Sequence, residues 1–417
     1  MHPHRIDDFE FLELNNNNTP RYLIRPCFMF SNRSREIAPF VVMQLVQRAS
    51  EFEAEGKTVV HFEVGEPDFQ TAAPVVDAAK SAIDAGRTKY TTALGIPELR
   101  ERISQYYLDL GVNVSANRIV VTSGASGGLT LLAALLLDPE DELLITDPGY
   151  PCNDVFARLV GACPKPLNVH EQNRFQPTLA DFVKAWGSQT RAALLASPGN
   201  PTGTMLDQAD LAAMNAHAKA SDGALILDEI YQGLHHYPVA YSTGLAVADD
   251  LYILNSFSKY FGMTGWRLGW VVAPDEAVDP LTKLAQNLFI SPNAPAQYAA
   301  LATFEESAMV IHEARREIFA RRALLMADGL KELGFHIPVV PDGAFYLYVD
   351  ISHTGMTSGD FCWRLMNEFQ VAVTPGSDFG SHRADRYARF AYTRGEEAIE
   401  LGLTRIASAL EAWGIST

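Results

Sequence analysis

Between about Thr88 and Asp275 the chain alternates short apolar runs with longer stretches of helical character, and this alternation restricts the fold more than any other feature. The runs RIVVTS (118–123), DELLITD (141–147), RAALLAS (191–197), GALILDE (223–229), LYILNS (251–256) and RLGWVVA (267–273) read as strands, and GLTLLAALLL (128–137) as a buried helix. Such a pattern predicts an α/β unit with a mainly parallel sheet. The first five strands end in loops rich in Gly, Pro, Ser, Asn or Asp. In open α/β sheets ligands bind at the carboxyl ends of the strands, so chemistry is expected in those loops.

A long helical stretch from about Ala296 to Leu333 carries EARREIFARRALL. Glu313 and Glu317 interleave Arg315, Arg316, Arg321 and Arg322, which predicts a solvated helix face rather than a basic patch. Beyond it, GAFYLYVDI and VAVTPGSDFG indicate strands and turns of a smaller α+β lobe running to the C-terminus. Near the other end NNNNTP reads as a flexible joint, so residues 1–28 are expected to form a flexible arm, or an extension if translation begins at Met29.

At 417 residues and 47% hydrophobic, the chain can bury a large core. Its net charge of −17 opposes a phosphate backbone, so no nucleic-acid partner is expected. No apolar run is long enough to span a bilayer. The N-terminal stretch lacks the basic-then-apolar character of a secretory signal, and its acidic residues oppose a transit peptide, so a cytoplasmic protein is expected. Cys27, Cys152, Cys163 and Cys362 are scattered, without Cys-x-x-Cys or clustered His. Free buried thiols and no metal site are expected.

The candidate site residues lie in the loops. VTSGASGGLT (121–130) is a glycine-rich turn between strand and helix, and backbone N–H groups at Gly124, Ala125 and Ser126 would attract a phosphate. The same residues match the G-x-S-x-G elbow of serine hydrolases, for which His312, His336, His353 and His382 are available, but that reading leaves Lys259, Asp228 and Arg267 unused. Asp228 ends a buried strand, where it either caps the next turn or pairs with a cationic nitrogen, and Tyr231 follows it. Asn200 lies in the turn SPGNPTGT, where an Asn often bonds its own backbone. Lys259, in NSFSKYFGMTGWRLGW, is either a loop lysine packed on Phe257 and Tyr260 or an amine at a site. Arg267 sits between Gly265 and Gly269, where a guanidinium can take a phosphate through two bonds and lower the pKa of a nearby amine. An anion cradle, an amide, an acid, a phenol, an amine and an arginine are together the fittings for pyridoxal phosphate.

At this point the chain resembles the class I/II aminotransferases of pyridoxal-phosphate fold type I. The likeness runs from about Ser31 to Leu410 and rests on SFSKYFGMTGWRLGW, VGEPDF (64–69), KYTTALGIPELR (89–100), DPGYP (147–151), SPGNPTG (197–203), LDEIY (227–231) and RFAY (389–392). It implies a large domain with a mainly parallel seven-stranded sheet flanked by helices (61–300), and a smaller α+β domain from 29–60 and 301–417. It implies Lys259 as the Schiff-base lysine and proton shuttle, Asp228 on the pyridine nitrogen, Tyr231 and Asn200 on the 3-oxygen, and Tyr150 stacked on the ring. Ala125, Ser126, Ser256, Ser258 and Arg267 would hold the phosphate. Arg389 would bind the substrate α-carboxylate, with Gly65 in that pocket. Tyr90 resembles the tyrosine that reaches the neighbouring subunit's phosphate, which implies a homodimer.

Amino acids and 2-oxo acids are the implied substrates. The stretch AQNLFISPNAP (285–295) carries Asn287, Leu288 and Phe289 where dicarboxylate-selective relatives carry a partner arginine. Ile37, Ala38 and Phe40 would add apolar wall, so a neutral or hydrophobic donor is expected. The same fittings would serve a carbon–sulfur β-lyase acting on sulfur amino acids. A DNA-binding regulator on this fold would need a module before the core, and only about 30 residues precede Ser31.

Overall fold

The computed structural model describes residues 9–14, 20–24 and 30–416, with side chains from residue 30 onward except that of Glu36. Within the unit Met1–Pro39, strands Phe9–Leu14 and Pro20–Ile24 pair antiparallel, and the Ser31 hydroxyl caps the short helix Asn32–Glu36. The joint expected at 15–19 and the rest of the expected arm, apart from those two strands, lie outside the described residues.

The unit Phe40–Thr417 is built on a seven-stranded sheet. Its order is Ile119–Thr122, Gly269–Val272, Tyr252–Ser256, Ala224–Asp228, Thr190–Ala196, Glu142–Asp147 and Cys163–Asn168. Gly269–Val272 runs antiparallel to both its neighbours, and the other neighbouring pairs are parallel. Alternate residues of its strands, the edge strand Cys163–Asn168 excepted, enter different cores. Val121, Leu144, Leu195, Leu227, Ile253 and Trp270 belong to one cluster, and Val120, Leu143, Leu194, Ile226, Leu254 and Val271 to the other. A sheet covered on both faces has no polar face to show, which is why its strands read as unbroken apolar runs.

The strands read from the sequence form within about two residues of their expected ends. Cys163–Asn168, CPKPLN, was not among them, because its two prolines oppose a strand assignment. Its edge position removes the conflict, since it pairs only with Glu142–Asp147 and its outer N–H positions need no partner strand.

The smaller lobe is α+β, as expected. Tyr346–Asp350 pairs antiparallel with Tyr387–Ala391, which pairs antiparallel with Thr374–Pro375. Helices Ser358–Phe369 and Glu396–Ala412 pack against each other beside them. The short strand Val60–His61 pairs parallel with Val371–Ala372 and leads into the segment 62–69.

The helix Glu306–Glu332 departs from the expected solvated face. Arg322 is 5% exposed, and its guanidinium grips the Asp68 carboxylate at 2.9 and 3.0 Å. Arg315 donates to the Gln70 carbonyl at 2.7 Å and lies 5.0 Å from the Phe69 ring. These arginines therefore anchor the GEPDF segment, and Arg321 is the one of the four that stays exposed. The thiols also differ from expectation: Cys362 is buried, but Cys152 is intermediate and Cys163 exposed. Among the described residues no helix is long and apolar enough to cross a membrane, and no cluster of His, Cys, Asp or Glu could hold a metal.

Candidate active site

A cavity of about 270 Å³ opens where strands of the large sheet end. A single residue, Ser123, separates the helix Gly124–Leu136 from the strand Ile119–Thr122, and its side chain does not cap the helix. Its first amides have no intrahelical acceptor and sit at the positive end of the helix, so Ala125 and Ser126, which line the cavity, offer an anion site. Gly124 has φ +71°, and a Cβ there would fall 2.6 Å from Arg267 Nη2, so the guanidinium fills the space a side chain would take. Arg267 Nη1 donates to the Thr264 carbonyl at 3.1 Å and reaches Ser258 Oγ at 3.5 Å. Ser256, fully buried behind this group, donates its hydroxyl to Ser258 Oγ at 2.9 Å. A helix N-terminus, hydroxyls and a guanidinium thus converge as a phosphate monoester would require.

Lys259 reaches into the same cavity and donates Nζ to the Gly65 carbonyl at 2.7 Å. Burial pulls its pKa from 10.5 down to about 8; the Glu66 and Asp228 charges oppose the fall, and Arg389 and Arg267 add to it. Desolvation, rather than the expected Arg267, is the leading cause, and a neutral amine becomes accessible near physiological pH. Asp228 is 6% exposed and accepts from Ile230 N at 3.0 Å. Burial raises its pKa to about 7, against the pull of that N–H and of Lys259. A carboxylate so desolvated favours a cationic partner placed against it.

The remaining wall contains Tyr231, Tyr346, Asn200 and Arg389. The hydroxyls of Tyr231 and Tyr346 share a hydrogen bond of 2.9 Å, and burial holds both phenols above their ordinary pKa. Asn200 does not satisfy its own turn with its side-chain oxygen, which accepts from Arg389 Nη1 at 2.9 Å. Arg389 Nη2 donates to the Glu63 carbonyl and to Thr374 Oγ1. Its guanidinium is sandwiched between the rings of Tyr346 at 4.4 Å and Phe379 at 4.7 Å. Arg389 Nε is buried without an acceptor among the described residues, so this guanidinium at the cavity wall keeps an unsatisfied donor.

Of the residues picked from the sequence, Gly65, Ala125, Ser126, Tyr150, Asn200, Asp228, Tyr231, Ser258, Lys259, Arg267 and Arg389 all line this one cavity. Gly124 and Ser256 stand just behind its anion end. Tyr90 is 81% exposed and lies outside the lining, and Ile37 and Ala38 belong to the N-terminal unit. Tyr346, Val42, Met43 and Leu129 line the cavity without having been picked. The alternation YLY in GAFYLYVDI was the signal for Tyr346, but it marked only a strand. The hydrolase alternative fails on geometry: no His is among the described lining residues, and His312 and His382 bond Thr303 and His170 instead.

The family described as aminotransferase class I and II matches residues 57–406. A (5-formylfuran-3-yl)methyl phosphate transaminase of Methanocaldococcus jannaschii is 37% identical over 91% of this chain and 98% of its own length. A valine–pyruvate aminotransferase of Mycobacterium tuberculosis is 36% identical over 90% of this chain and 97% of its own. The crystal structure of an aminotransferase from Mycobacterium tuberculosis superposes with a TM-score of 0.88 at 34% identity, covering 92% of this chain and 99% of that one.

Proposed function

The chain belongs to the class I and II aminotransferase family and is a transaminase, and on that premise we propose that it binds pyridoxal 5′-phosphate and moves the amino group of a neutral or hydrophobic α-amino acid to a 2-oxo acid. The observation that carries this reading is the set of cavity groups: a buried amine, a buried acid and a guanidinium with a spare donor share one cavity, whose other walls include Phe40, Val42, Leu129 and Ile230. Among the described lining residues the cations are Lys259, Arg267 and Arg389. If Arg267 takes a phosphate and Arg389 an α-carboxylate, neither remains for a second substrate carboxylate. The relative named for valine and pyruvate agrees with an apolar donor.

In this reading Ala125, Ser126, Ser256, Ser258 and Arg267 hold the phosphate, Asp228 faces the pyridine nitrogen, Tyr231 and Asn200 face the 3-oxygen, and Tyr150 lies against the ring. When bound, the cofactor supplies an electron sink for the pair left on the substrate Cα. Arg389 fixes the α-carboxylate and with it the orientation of the Cα–H bond. Lys259, whose neutral form burial brings within reach near physiological pH, takes the Cα proton and returns it on the cofactor side. Asp228, charged beside a cation, keeps that cation protonated. Residues 61–300 would form the cofactor-binding domain, with 29–60 and 301–417 as the smaller one. Exposed Tyr90, Leu288 and Ile290 fit a homodimer in which Tyr90 reaches the partner's site.

The test is the visible absorbance of the purified protein with pyridoxal phosphate, before and after adding single neutral, aromatic and acidic amino acids. A cofactor band that an apolar donor converts to the amine form, and that a 2-oxo acid restores, is the expected result. Preference for acidic donors overturns the substrate class. Ammonia and pyruvate released from a sulfur amino acid would mark the β-lyase alternative.

A further inference from the structure

The helix Val41–Ala54 begins without a cap of its own, because the residue before it is Phe40, which has no side-chain acceptor. Its first amides are satisfied from the far end of the chain. Asp378 Oδ1 accepts from Val41 N at 2.9 Å, and Oδ2 accepts from Val42 N at 3.3 Å. A carboxylate at this end of a 14-residue helix is also favoured by the helix dipole. The residues it fixes, Phe40, Val42 and Met43, line the cavity. The next residue after Asp378 is Phe379, whose ring covers the Arg389 guanidinium at 4.7 Å. One short segment, Gly376–Asp378 with Phe379, therefore touches both the carboxylate anchor and the start of the apolar wall.

We propose that Asp378 is a positioning residue for donor specificity: its clasp on the Val41 and Val42 amides holds the wall of Phe40, Val42 and Met43 at the distance at which a bulky apolar side chain packs against it. This rests on the reading of the cavity as the site of an apolar amino donor. A contact made equally in the ground and transition states changes KM and leaves kcat alone. Alanine, whose side chain is a single methyl group, offers the least apolar surface to the wall, so it serves as the internal control.

The experiment measures kcat and KM of the holoenzyme for leucine and for alanine in the wild type, Asp378→Ala and Asp378→Asn. Hydrogen exchange at the Val41 and Val42 amides is followed in parallel. Asp378→Ala is expected to raise KM for leucine about tenfold, with KM for alanine and both kcat values within about twofold. Asp378→Asn keeps one carbonyl acceptor and should fall between, and it carries the test if the alanine variant does not fold. Faster exchange at Val41 and Val42 should accompany the KM change. An equal rise in KM for both donors makes the clasp merely structural and overturns the proposal, as does faster exchange with no change in either KM. A wild-type enzyme that accepts acidic donors and refuses leucine overturns the functional reading itself, before any variant is compared.

Discussion

A methyl group on Gly65 would lie 1.7 Å from the hydroxyl oxygen of Tyr346 and 2.6 Å from the ring carbon that bears it. Tyr346 cannot yield easily, being 1% exposed, bonded to Tyr231 and packed under Arg389. Gly65→Ala should therefore displace the floor of the carboxylate anchor and the carbonyl that receives Lys259. Overpacking of this kind costs about 1–3 kcal/mol in stability, and kcat/KM should fall on the order of 100-fold as the site loses its geometry. Tyr346→Phe, which keeps the ring, should lose no more than about tenfold through the missing hydrogen bond to Tyr231. Steady-state kinetics and thermal melts of the two variants check the order, and a fully active Gly65→Ala enzyme would refute it.

Lys259 gives a pH dependence whose sign is fixed. In the proposed reading the neutral amine is the nucleophile that captures the cofactor, and burial brings its pKa down to about 8. The rate at which cofactor-free protein takes up pyridoxal phosphate should rise about tenfold per pH unit below that value and level off above it. Stopped-flow absorbance from pH 6 to 10 reads this directly. A rate still climbing tenfold per unit at pH 9.5 would mean a lysine titrating as it does in water.

Asp228, Lys259, Arg267 and Gly124 were legible because each stands beside a local signal, whereas Arg389 was named only through the resemblance. Asp228 closes an apolar strand, Lys259 and Arg267 sit among serines and glycines, and Gly124 opens a helix after a strand. Pairings between residues distant in the chain were not legible. Tyr231 and Tyr346 are 115 residues apart, Asp68 and Arg322 are 254, and Val41 and Asp378 are 337. No periodicity encodes such pairings. The strand Cys163–Asn168 was hidden for the opposite reason, since its prolines are locally adverse and become tolerable only at a sheet edge.

Asp228→Asn preserves shape and removes the charge opposite the proposed pyridine nitrogen. Donor binding, proposed to run through Arg389, is untouched, so KM should change little, while kcat should fall on the order of 100-fold or more, as when one preorganised electrostatic group is lost from a site. Pre-steady-state conversion of the cofactor by the donor, measured apart from product release, checks the split. Normal turnover in this variant would remove Asp228 from the chemistry.

Glu229 is buried next to Asp228, with its carboxylate accepting from Thr243 Oγ1 at 2.9 Å and from Gly244 N at 2.5 Å. Burial raises its pKa from 4.5 to about 8, against the pull of those two donors. Between these values the unfolded chain has released the proton while the native protein retains it, so the native state binds more protons and stability falls as pH rises. Glu229→Gln copies the protonated form: its amide oxygen accepts from Gly244 N, and its amide nitrogen donates to the Thr243 hydroxyl. The raised pKa of Asp228 is common to both proteins and largely cancels in the comparison. The variant should melt within a degree or two of the wild type near pH 5 and, free of the deprotonation cost, gain on the order of a few kcal/mol by pH 8.5, an increase of several degrees. Thermal melts at matched ionic strength decide it, because a deficit that is constant across pH would mean that Glu229 is held as a carboxylate throughout and that its hydrogen bonds, rather than its proton, stabilise the turn.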